Sequence, residues 1–150
     1  MKIFNAGKYR IMEAAKVLDN NGKPFVLNFD SAPSRINAAI FDNNGVCAGK
    51  CHSATDRFLN SIRTDVESEY KRRGLGIILR LTQVIHMLEN NLESILTRPT
   101  LEALPFNEKL KFDYAADEYG IYMELPNKIV RKNHDFFNGL FEKHGLDYEI

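Results

Sequence analysis

The fold is best inferred from one continuous stretch: Val66-Glu67-Ser68-Glu69-Tyr70-Lys71-Arg72-Arg73-Gly74-Leu75-Gly76-Ile77. It joins a predicted strand at residues 59–66 to a predicted helix at residues 74–90, whose apolar residues recur at helical spacing. A turn that opens a helix leaves backbone N–H groups unpaired, and glycine lets an anion approach them closely. Basic side chains add positive charge at Lys71, Arg72 and Arg73. The turn is therefore chemically suited to a pyrophosphate.

The same turn also has a purely structural interpretation, in which the basic residues form a solvated loop and the glycines only permit tight packing. The chemistry alone does not separate the two, because a single Gly-x-Gly is a weak signal. Two other phosphate motifs are absent from the sequence. There is no Gly-x-x-x-x-Gly-Lys-Ser/Thr, and Leu79 stands where a dinucleotide-binding motif has its third glycine.

Upstream of this stretch, the sequence predicts one helix and then strands. A helix is expected at residues 8–20, because apolar residues recur at helical spacing and Asn20-Asn21-Gly22 would end it. A short strand is expected at 25–29. Strands at 36–41 and 46–52 are joined by Asn44-Gly45, a strong hairpin signal. Strict alternation along residues 59–66 would place Ile62, Thr64 and Val66 on one face and Ser61, Arg63 and Asp65 on the other.

Downstream, the long helix at 74–90 is expected to be buried against a sheet, because it has almost no charge after Arg80. A short strand at 94–97 follows. A helix at 101–110 contains Pro105, so its regular part should begin near Leu104. Two further strands are expected at 112–115 and 119–125. This order of elements predicts an α/β domain whose mixed sheet has a central crossover.

The last segment, residues 133–144, is predicted to form an amphipathic helix. Its apolar side carries Phe136, Phe137, Leu140 and Phe141. These side chains are expected to complete the core rather than to form a partner interface. If they are exposed, they would form a patch suited to homodimerisation.

The central stretch resembles the signature of the GNAT N-acetyltransferases, in which a strand ends in Val and an Arg/Gln-x-x-Gly-x-Gly/Ala loop opens a helix. Four residues match at the family's spacing: Val66, Tyr70, Gly74 and Gly76. A second stretch, Ala103 followed by Phe106-Asn107-Glu108-Lys109-Leu110-Lys111-Phe112, is similar to the family's Ala…Phe-Tyr-Glu-Lys-Leu-Gly-Phe. The two motifs stand in the expected order, separated by a helix and a strand, and the resemblance covers residues 36–125.

This resemblance implies an α+β mixed sheet of the GNAT acyl-CoA N-acyltransferase type, with residues 1–150 as a single domain. Its core would be residues 36–125, and residues 126–150 would be a C-terminal helical extension. Acetyl-CoA, or another acyl-CoA, would bind where two strands separate, and a primary amine would attack the thioester directly. The implied cofactor-binding residues are Thr64, Val66, Lys71, Arg72, Arg73, Gly74, Leu75, Gly76, Thr100 and Asn107.

The sequence departs from the family pattern at three positions. Lys71 replaces Arg or Gln, Thr100 stands where an Asn contacts the cofactor, and Asn107 stands where a Tyr protonates the leaving thiolate. An Asn N–H donates a hydrogen bond but supplies no proton at neutral pH, and a lost general acid costs about 10²–10⁴ in rate. Asn60 stands where some relatives have a Glu base.

Substitutes for the missing groups can be named from the sequence. Glu67 is the first choice as general base, because it follows Val66 directly, and Asp65 is the second. Tyr114 is the chosen substitute for the acid, with Tyr119 and Tyr122 as further candidates. Each residue also has a structural interpretation, as part of a solvated acidic turn or as an aromatic of the sheet.

The composition and the residue pattern limit the kinds of partner and cellular environment that are expected. Lys plus Arg equals Asp plus Glu, at 20 each, so general nucleic-acid binding is not expected. No apolar run is long enough to span a membrane, and residues 1–8 do not resemble a secretory leader. Cys47 and Cys51, about 13 Å apart in an extended strand, lie beyond the roughly 7 Å of a disulfide. The histidines show no ligand spacing, so no metal is expected. These features predict a soluble, cytoplasmic protein.

The sequence is compatible with three functions. The first is N-acetyl transfer from acetyl-CoA to a primary amine. The second is a GNAT-like domain that no longer catalyses, and that binds acyl-CoA or acts through protein contacts. The third is an unrelated α/β binding module in which the glycine turn is only structural. Cofactor binding without turnover would favour the second, and failure to bind any coenzyme A would favour the third.

Overall fold

The structure of the protein is a computed structural model that describes residues 11–150, of which residues 11–13 are described by backbone alone. Its strands form one eight-stranded sheet in the order β1-β2-β3-β4-β5-β6-β8-β7. The strands are β1 Ile11–Leu18, β2 Pro24–Ala32, β3 Arg35–Phe41, β4 Cys47–Thr55, β5 Leu59–Val66, β6 Ser94–Thr97, β7 Asp113–Asp117 and β8 Gly120–Pro126. Neighbouring strands are antiparallel except β5 and β6, which are parallel. The predicted mixed α/β sheet is confirmed.

Among residues 11–150, four α-helices accompany the sheet: α1 Leu75–Glu89, α2 Leu104–Lys109, α3 Asn127–Lys132 and α4 His134–Lys143. α1 provides the crossover between β5 and β6 and packs against the middle of the sheet, from β3 to β6. Twelve of its residues are buried, including polar ones, which explains the lack of charge after Arg80. The Pro105 ring lies in the first turn of α2, where its missing N–H would have no partner in any case.

The helix predicted at residues 8–20 is wrong within the described range, and residues 8–10 lie outside it. Residues 11–18 form β1, whose alternation is visible in buried Ala15 and Val17 and exposed Ala14 and Lys16. β1 pairs with β2 along its whole length. The Asn-Gly pair predicted to end a helix is instead the hairpin turn between these two strands. Five strands therefore precede α1.

The predicted alternation along β5 is also wrong at one position. Ser53 pairs with Ser61 and His52 with Arg63, so Ile62 is an extra residue that forms a β-bulge. The bulge moves Ser61 to the same face as Thr64, facing α1, while the Ile62 side chain is 61% exposed. Alternation alone could not reveal this, because a bulge adds one residue to the period.

The C-terminal segment packs into the core, as predicted for its aromatic side chains. Phe137 and Phe141 have no exposed surface, and Val130 of the unpredicted helix α3 is equally buried. Phe136 is partly exposed and stacks beneath the Lys111 ammonium. No helix among residues 11–150 is both long and apolar enough to span a membrane. Both cysteines are unpaired thiols.

Candidate active site

The turn between β5 and α1 presents a row of backbone donors. A 3-10 turn at Ser68–Tyr70 follows β5, and α1 begins at Leu75. Within residues 11–150, the N–H groups of residues 72–77 donate to no acceptor. Unpaired N–H groups at a helix start carry partial positive charge and bind anions. The predicted pyrophosphate turn therefore has the donors that its proposed role requires.

The backbone of this turn depends on left-handed residues. Arg72 has φ 65° and Gly74 has φ 84°, a region that L side chains rarely adopt. A Cβ on Gly74 would also lie 2.4 Å from the side-chain oxygen of Asn20. Turns that alternate between helical and left-handed residues point successive N–H groups into one concavity. Glycine at position 74 thus avoids a strained backbone, and it leaves room for the Asn20 side chain.

Two hairpin turns with the same sequence hold the turn between β5 and α1, residues 67–74, in place. Asp19-Asn20-Asn21-Gly22 joins β1 to β2, and Asp42-Asn43-Asn44-Gly45 joins β3 to β4. In each, the Asp carboxylate accepts hydrogen bonds from the N–H groups two and four residues later, at 2.8 Å in the first turn and 2.9 Å in the second. The other oxygen of Asp19 accepts from Arg73 Nε at 2.9 Å, and that of Asp42 accepts from the Tyr70 hydroxyl.

These contacts keep both carboxylates ionised. Burial opposes ionisation of Asp19, but the N–H groups of Lys23 and Asn21 and the Arg73 guanidinium outweigh it and lower the pKa. The pKa of Asp42 is lowered chiefly by the hydroxyl of Tyr70, whose own pKa is raised by the same hydrogen bond. The turn is therefore anchored by charge as well as by backbone contacts.

The three basic residues of the turn differ in their surroundings. Lys71 and Arg72 are exposed and form no ion pair within residues 11–150. Arg73 is bound to Asp19 and stacks on the rings of Phe25 and Tyr70. Arg73 thus supports the turn structurally, and the charges that face solvent are those of Lys71 and Arg72.

Gly76 lies in the first turn of α1, opposite α2. A Cβ at this position would lie 3.5 Å from the Phe106 ring and 3.9 Å from Val66, which are ordinary contact distances. The Leu75 side chain is buried in the core, so this residue offers only its N–H to the surface. Gly76 thus lies between Val66 at the end of β5 and Phe106 of α2.

The sheet opens directly below this turn. β5 pairs with β6 over three residues, Leu59 to Ser61, opposite Ile95 to Thr97. Beyond the bulge at Ile62, residues 62–66 have no strand partner on that side among the described residues. This free edge includes the backbone of Thr64 and Val66, the predicted contacts of a pantetheine arm. Free N–H and C=O groups on a strand edge accept an extended ligand chain readily.

A cavity of about 360 Å³ lies where β5 and β6 separate. Its lining includes Ser61, Ile62, Leu96, Thr97, Arg98, Asp117 and Tyr122. Arg98 donates to the Asp117 carboxylate and stacks on Tyr122. Burial would raise the pKa of Asp117, but the N–H of Tyr119 and the Arg98 guanidinium outweigh it and lower the pKa.

The tyrosines named from the sequence lie in different places. Tyr122 lines the cavity between β5 and β6. Tyr114 lies on the edge strand β7, where its hydroxyl donates to Glu108 of α2, and this hydrogen bond raises its pKa. Tyr119 is 81% exposed in the turn between β7 and β8. The structure does not bring Tyr114 next to the carboxylates predicted on β5.

Those carboxylates occupy the loop end of β5. Asp65 forms an ion pair with Arg63 on the face opposite α1. The Glu67 N–H donates to Ala48, and its side chain is exposed. Ser61, at the cavity, lies five residues before Val66, which corresponds to roughly 17 Å along a strand. The catalytic roles of Glu67, Asp65 and Tyr114 stay predictions.

Thr100 and Asn107, the two residues near α2 that differ from the family pattern, have different surroundings. Thr100 is exposed and begins the 3-10 turn Leu101–Ala103. Asn107 has no exposed surface, and its side-chain oxygen accepts a hydrogen bond from Arg80 Nη2 at 3.1 Å. Since a guanidinium can only donate, this contact fixes the orientation of the Asn107 amide. Its side-chain nitrogen has no acceptor within residues 11–150.

Arg80 is a functional candidate that the sequence pattern does not reveal. It is only 4% exposed, it binds Ser61 and Gln83 as well as Asn107, and burial lowers its pKa to about 10. No carboxylate of the described residues lies within ion-pairing distance of it. In the sequence, Arg80 is the last charged residue before a long uncharged stretch of the helix. Nothing in that local pattern indicates that the guanidinium itself is buried.

A larger concavity, of about 720 Å³, lies away from the turn, over β2 to β5. Its polar lining includes Asn28, Asp30, Asn37, Lys50, His52 and Arg63. No cluster of three or more His, Cys, Asp or Glu side chains suited to a metal ion occurs in the part of the chain described. None of the cofactor-binding or catalytic residues predicted from the sequence lines this concavity.

No family sequence model matches the chain, and no curated protein sequence is similar to it. Solved structures are similar in fold. The ribosomal-protein-S18-alanine N-acetyltransferase of Escherichia coli aligns with a TM-score of 0.54 and 18% identity, over 64% of this chain and 71% of that one. Nourseothricin acetyltransferase aligns with a TM-score of 0.59 and 13% identity, over 78% and 84% of the two chains.

A third structure contains coenzyme A. The PaiA N-acetyltransferase of Thermoplasma acidophilum, solved in complex with coenzyme A, aligns with a TM-score of 0.55 and 16% identity, over 62% of this chain and 61% of that one. With its parallel β5–β6 pair and the crossover helix α1, the chain has the fold of the GNAT acyl-CoA N-acyltransferases. The predicted resemblance is confirmed at the level of the fold.

Proposed function

We propose that this protein is an acyl-CoA-dependent N-acetyltransferase that transfers an acetyl group from acetyl-CoA to a primary amine. The observation that carries this proposal is the juxtaposition of two features. A row of unpaired N–H groups at residues 72–77 begins α1, and the free edge of β5 starts directly beside it. A pyrophosphate and an extended amide-containing arm are the two chemical groups that such a surface accepts together.

The N–H groups of residues 72–77 hold the pyrophosphate, with Lys71 and Arg72 adding positive charge at the rim. The backbone of Thr64 and Val66 holds the pantetheine arm along the edge of β5, in the manner of an added strand. The reactive end of the arm then lies at the cavity bounded by Ser61 and Tyr122. The length and direction of β5 support this proposed arrangement.

The reaction needs no covalent enzyme intermediate. The nitrogen of a neutral amine attacks the thioester carbon, the C–N bond forms and the C–S bond breaks, and the electron pair leaves with sulfur. Holding the two reactants together lowers the barrier by up to about 7–11 kcal/mol in favourable geometry. We propose Tyr122, which lines this cavity, as a hydroxyl that assists departure of the thiol. The predicted bases Glu67 and Asp65 lie at the opposite, loop end of β5, and Tyr114 is bound to Glu108, so the amine proton passes to water at the cavity.

Two unpaired cysteines suit a reducing compartment, so we place this activity in the cytoplasm. The amine is on a small molecule, a protein N-terminus or a lysine. A homodimer is expected only if the apolar side of the C-terminal helix is exposed, and Phe137 and Phe141 are buried, so this surface gives it no support.

Nuclear magnetic resonance tests the site directly. Addition of acetyl-CoA to uniformly ¹⁵N-labelled protein should shift the amide resonances of residues 72–77, because these N–H groups gain acceptors. The amide of Gly139, in open space on α4, serves as an internal control. Unchanged resonances at 72–77 with saturating acetyl-CoA would contradict the proposed site.

A second candidate function, acyl-CoA binding without turnover, is favoured by the surroundings of Asn107. This residue is fully buried and engaged by Arg80, so it is no solvent-facing proton donor. A tyrosine there would have to displace Arg80, which makes gain of activity in Asn107→Tyr an unsuitable test. Thiol release from acetyl-CoA with a panel of primary amines separates the two functions, because a binding-only domain releases none.

A further inference from the structure

Arg80 is a buried cation without a carboxylate partner among residues 11–150. Its Nη1 donates to Ser61 at 2.9 Å and to Gln83 at 2.7 Å, and its Nη2 donates to Asn107 at 3.1 Å. The rings of Phe106 and Phe112 cover it. Burial of an unpaired charge is unfavourable unless polar groups surround it or an anion approaches. The cluster of Arg80, Gln83, Ser61 and Asn107, here called the Arg80 cluster, lies beside the separation of β5 from β6.

The Arg80 cluster has one consistent arrangement of hydrogen bonds. A guanidinium only donates, so the side-chain oxygen of Gln83 must face Arg80. The Gln83 nitrogen then donates its two hydrogens, to Ser53 at 2.7 Å and to Ser61 at 3.1 Å. The orientation of the Gln83 amide is therefore imposed by the charge of Arg80.

This arrangement determines what the Ser61 hydroxyl can do. Its oxygen accepts from Arg80 and from Gln83, which uses both lone pairs. The hydroxyl proton must therefore be donated elsewhere. The described acceptor nearest to it, Thr64 Oγ1, is 3.5 Å away, beyond the usual range of an O–H···O hydrogen bond. Ser61 is thus a polarised donor without a good acceptor of its own, and it lines the cavity at the separation of the strands.

The position of Ser61 matches the reactive end of the ligand. It lies at one end of the free edge of β5, and the turn between β5 and α1 lies at the other end. The edge between them is roughly 17 Å long, at about 3.4 Å per residue, which is comparable to an extended phosphopantetheine arm. A sulfur atom at the end of that arm would reach the neighbourhood of Ser61.

We propose that the Ser61 hydroxyl donates a hydrogen bond to the sulfur of coenzyme A as the thiolate leaves, and that Arg80 and Gln83 hold it in the donor orientation. The inference rests on the proposed function. When the amine attacks, the C–N bond forms, the C–S bond breaks and sulfur takes the electron pair. The amine proton departs to water or a carboxylate, and the thiolate is protonated from solvent.

The test measures the acidity of the coenzyme A thiol while it is bound. Calorimetry first establishes that coenzyme A binds, and ultraviolet absorbance of the thiolate is then followed against pH, with protein alone as the blank. We expect the pKa of the bound thiol to lie about one unit below that of free coenzyme A in the same buffer, because hydrogen bonds to charged groups have about this effect. Cys51 contributes no signal at neutral pH, because burial raises its pKa to about 11.

Matched variants identify the donor. Ser61→Ala should return the thiol pKa to its value in free coenzyme A, whereas Ser61→Thr, which keeps the hydroxyl, should retain the shift. Ser53→Ala is the control, because Ser53 also accepts from Gln83 but is fully buried, and it should retain the shift. Arg80→Met should reduce the shift. If the Arg80→Met protein does not fold, Gln83→Met is measured in its place.

The outcomes separate this inference from the proposed function. Binding of coenzyme A with an unshifted thiol, or a shift that persists in Ser61→Ala, overturns the role of Ser61 and leaves the proposed function standing. A full shift in both Arg80→Met and Gln83→Met overturns their role in positioning the hydroxyl. Absence of coenzyme A binding overturns both proposals together.

Discussion

Asp19 and Asp42 occupy the same position in two identical Asp-Asn-Asn-Gly turns, and each binds a different residue of the turn between β5 and α1. Asp19 accepts from the Arg73 guanidinium at 2.9 Å, and Asp42 accepts from the Tyr70 hydroxyl. The Asn20 N–H also donates to the Arg73 carbonyl at 2.7 Å. The turn that carries the N–H donors is therefore held by two hairpins and not by α1 alone.

Asp19→Ala is expected to lower the free energy of unfolding by about 2–4 kcal/mol, because it removes a buried acceptor of three hydrogen bonds, one of them charged. The loosened turn should also bind acetyl-CoA more weakly. Urea denaturation and calorimetry measure the two effects. Asp42→Ala is the matched control: it disrupts the same type of turn at a more exposed carboxylate, so its stability loss should be smaller. Equal losses would show that burial of Asp19 is unimportant.

Gly74→Ala is expected to destabilise the protein more than Gly22→Ala. Both glycines have positive φ, 84° and 76°, so both variants bear a left-handed alanine, at about 1–2 kcal/mol. A Cβ at position 22 meets nothing within 4 Å, whereas at position 74 it meets the Asn20 side chain. The difference between the two losses, measured by urea denaturation, reports that contact. A smaller loss for Gly74→Ala than for Gly22→Ala would contradict the close approach of Asn20 to Gly74.

The identical turns also show how far the sequence could be interpreted. The second Asp-Asn-Asn-Gly is predicted correctly as a hairpin, because alternating residues flank it on both sides. The first is predicted to end a helix, because Ile11, Ala14, Ala15 and Leu18 fit helical spacing. In the structure Ala15 and Val17 both face the core, which is the period of a strand and not that of a helix. Residues 11–18 form a strand because they pair with β2. The local pattern does not predict this pairing, because it is a contact with a separate segment of the chain.

The candidate site likewise combines features that the sequence predicts with features that it does not predict. The turn at residues 67–74, β5, β6 and α1 could be predicted, because glycine spacing and apolar periodicity are local signals. The bulge at Ile62 could not, because it depends on the register with β4. The Arg80 cluster joins residues from β5, α1 and α2, so it exists only in the folded chain. From the sequence alone, Asn107 is interpreted as the loss of a general acid. In the structure its side chain binds Arg80, so the residue also has a structural role.

Stability should fall as the pH is lowered from about 6.5 to about 4, in part because of His86. This side chain is 1% exposed between Ser31 and Thr55, and burial lowers its pKa to about 4. The unfolded chain, with a His pKa of about 6.5, binds a proton in this window while the folded chain does not. The linked loss is up to about 3 kcal/mol.

His86→Gln tests this assignment, because glutamine keeps polar contacts but does not titrate. The difference in unfolding free energy between wild type and variant should shrink as the pH falls through this window. Parallel pH profiles of the two proteins, measured by urea denaturation, would show that His86 does not contribute.

Single hydroxyl deletions distinguish the tyrosines named as candidates. Tyr122 lines the cavity between β5 and β6, whereas Tyr114 is engaged by Glu108 on the edge strand. We expect Tyr122→Phe to lower the rate of acetyl transfer and Tyr114→Phe to leave it within about twofold. A loss of about 10²-fold or more in Tyr114→Phe, the size of general-acid catalysis, would instead establish Tyr114 as the acid.

The proposed role of the turn between β5 and α1 in binding phosphate is best tested by calorimetric titration of wild type, Gly76→Glu and Gly76→Gln with acetyl-CoA. Position 76 is preferable to 74, because it has no positive φ and a Cβ there makes only ordinary contacts. Gly139→Glu, in open space on α4, controls for a new carboxylate on a helix. We expect binding to wild type and to Gly139→Glu, a modest loss in Gly76→Gln, and at least a tenfold loss in Gly76→Glu, or about 1.4 kcal/mol. Equal affinity in Gly76→Glu and wild type, or no binding to wild type, would contradict the proposed acyl-CoA site.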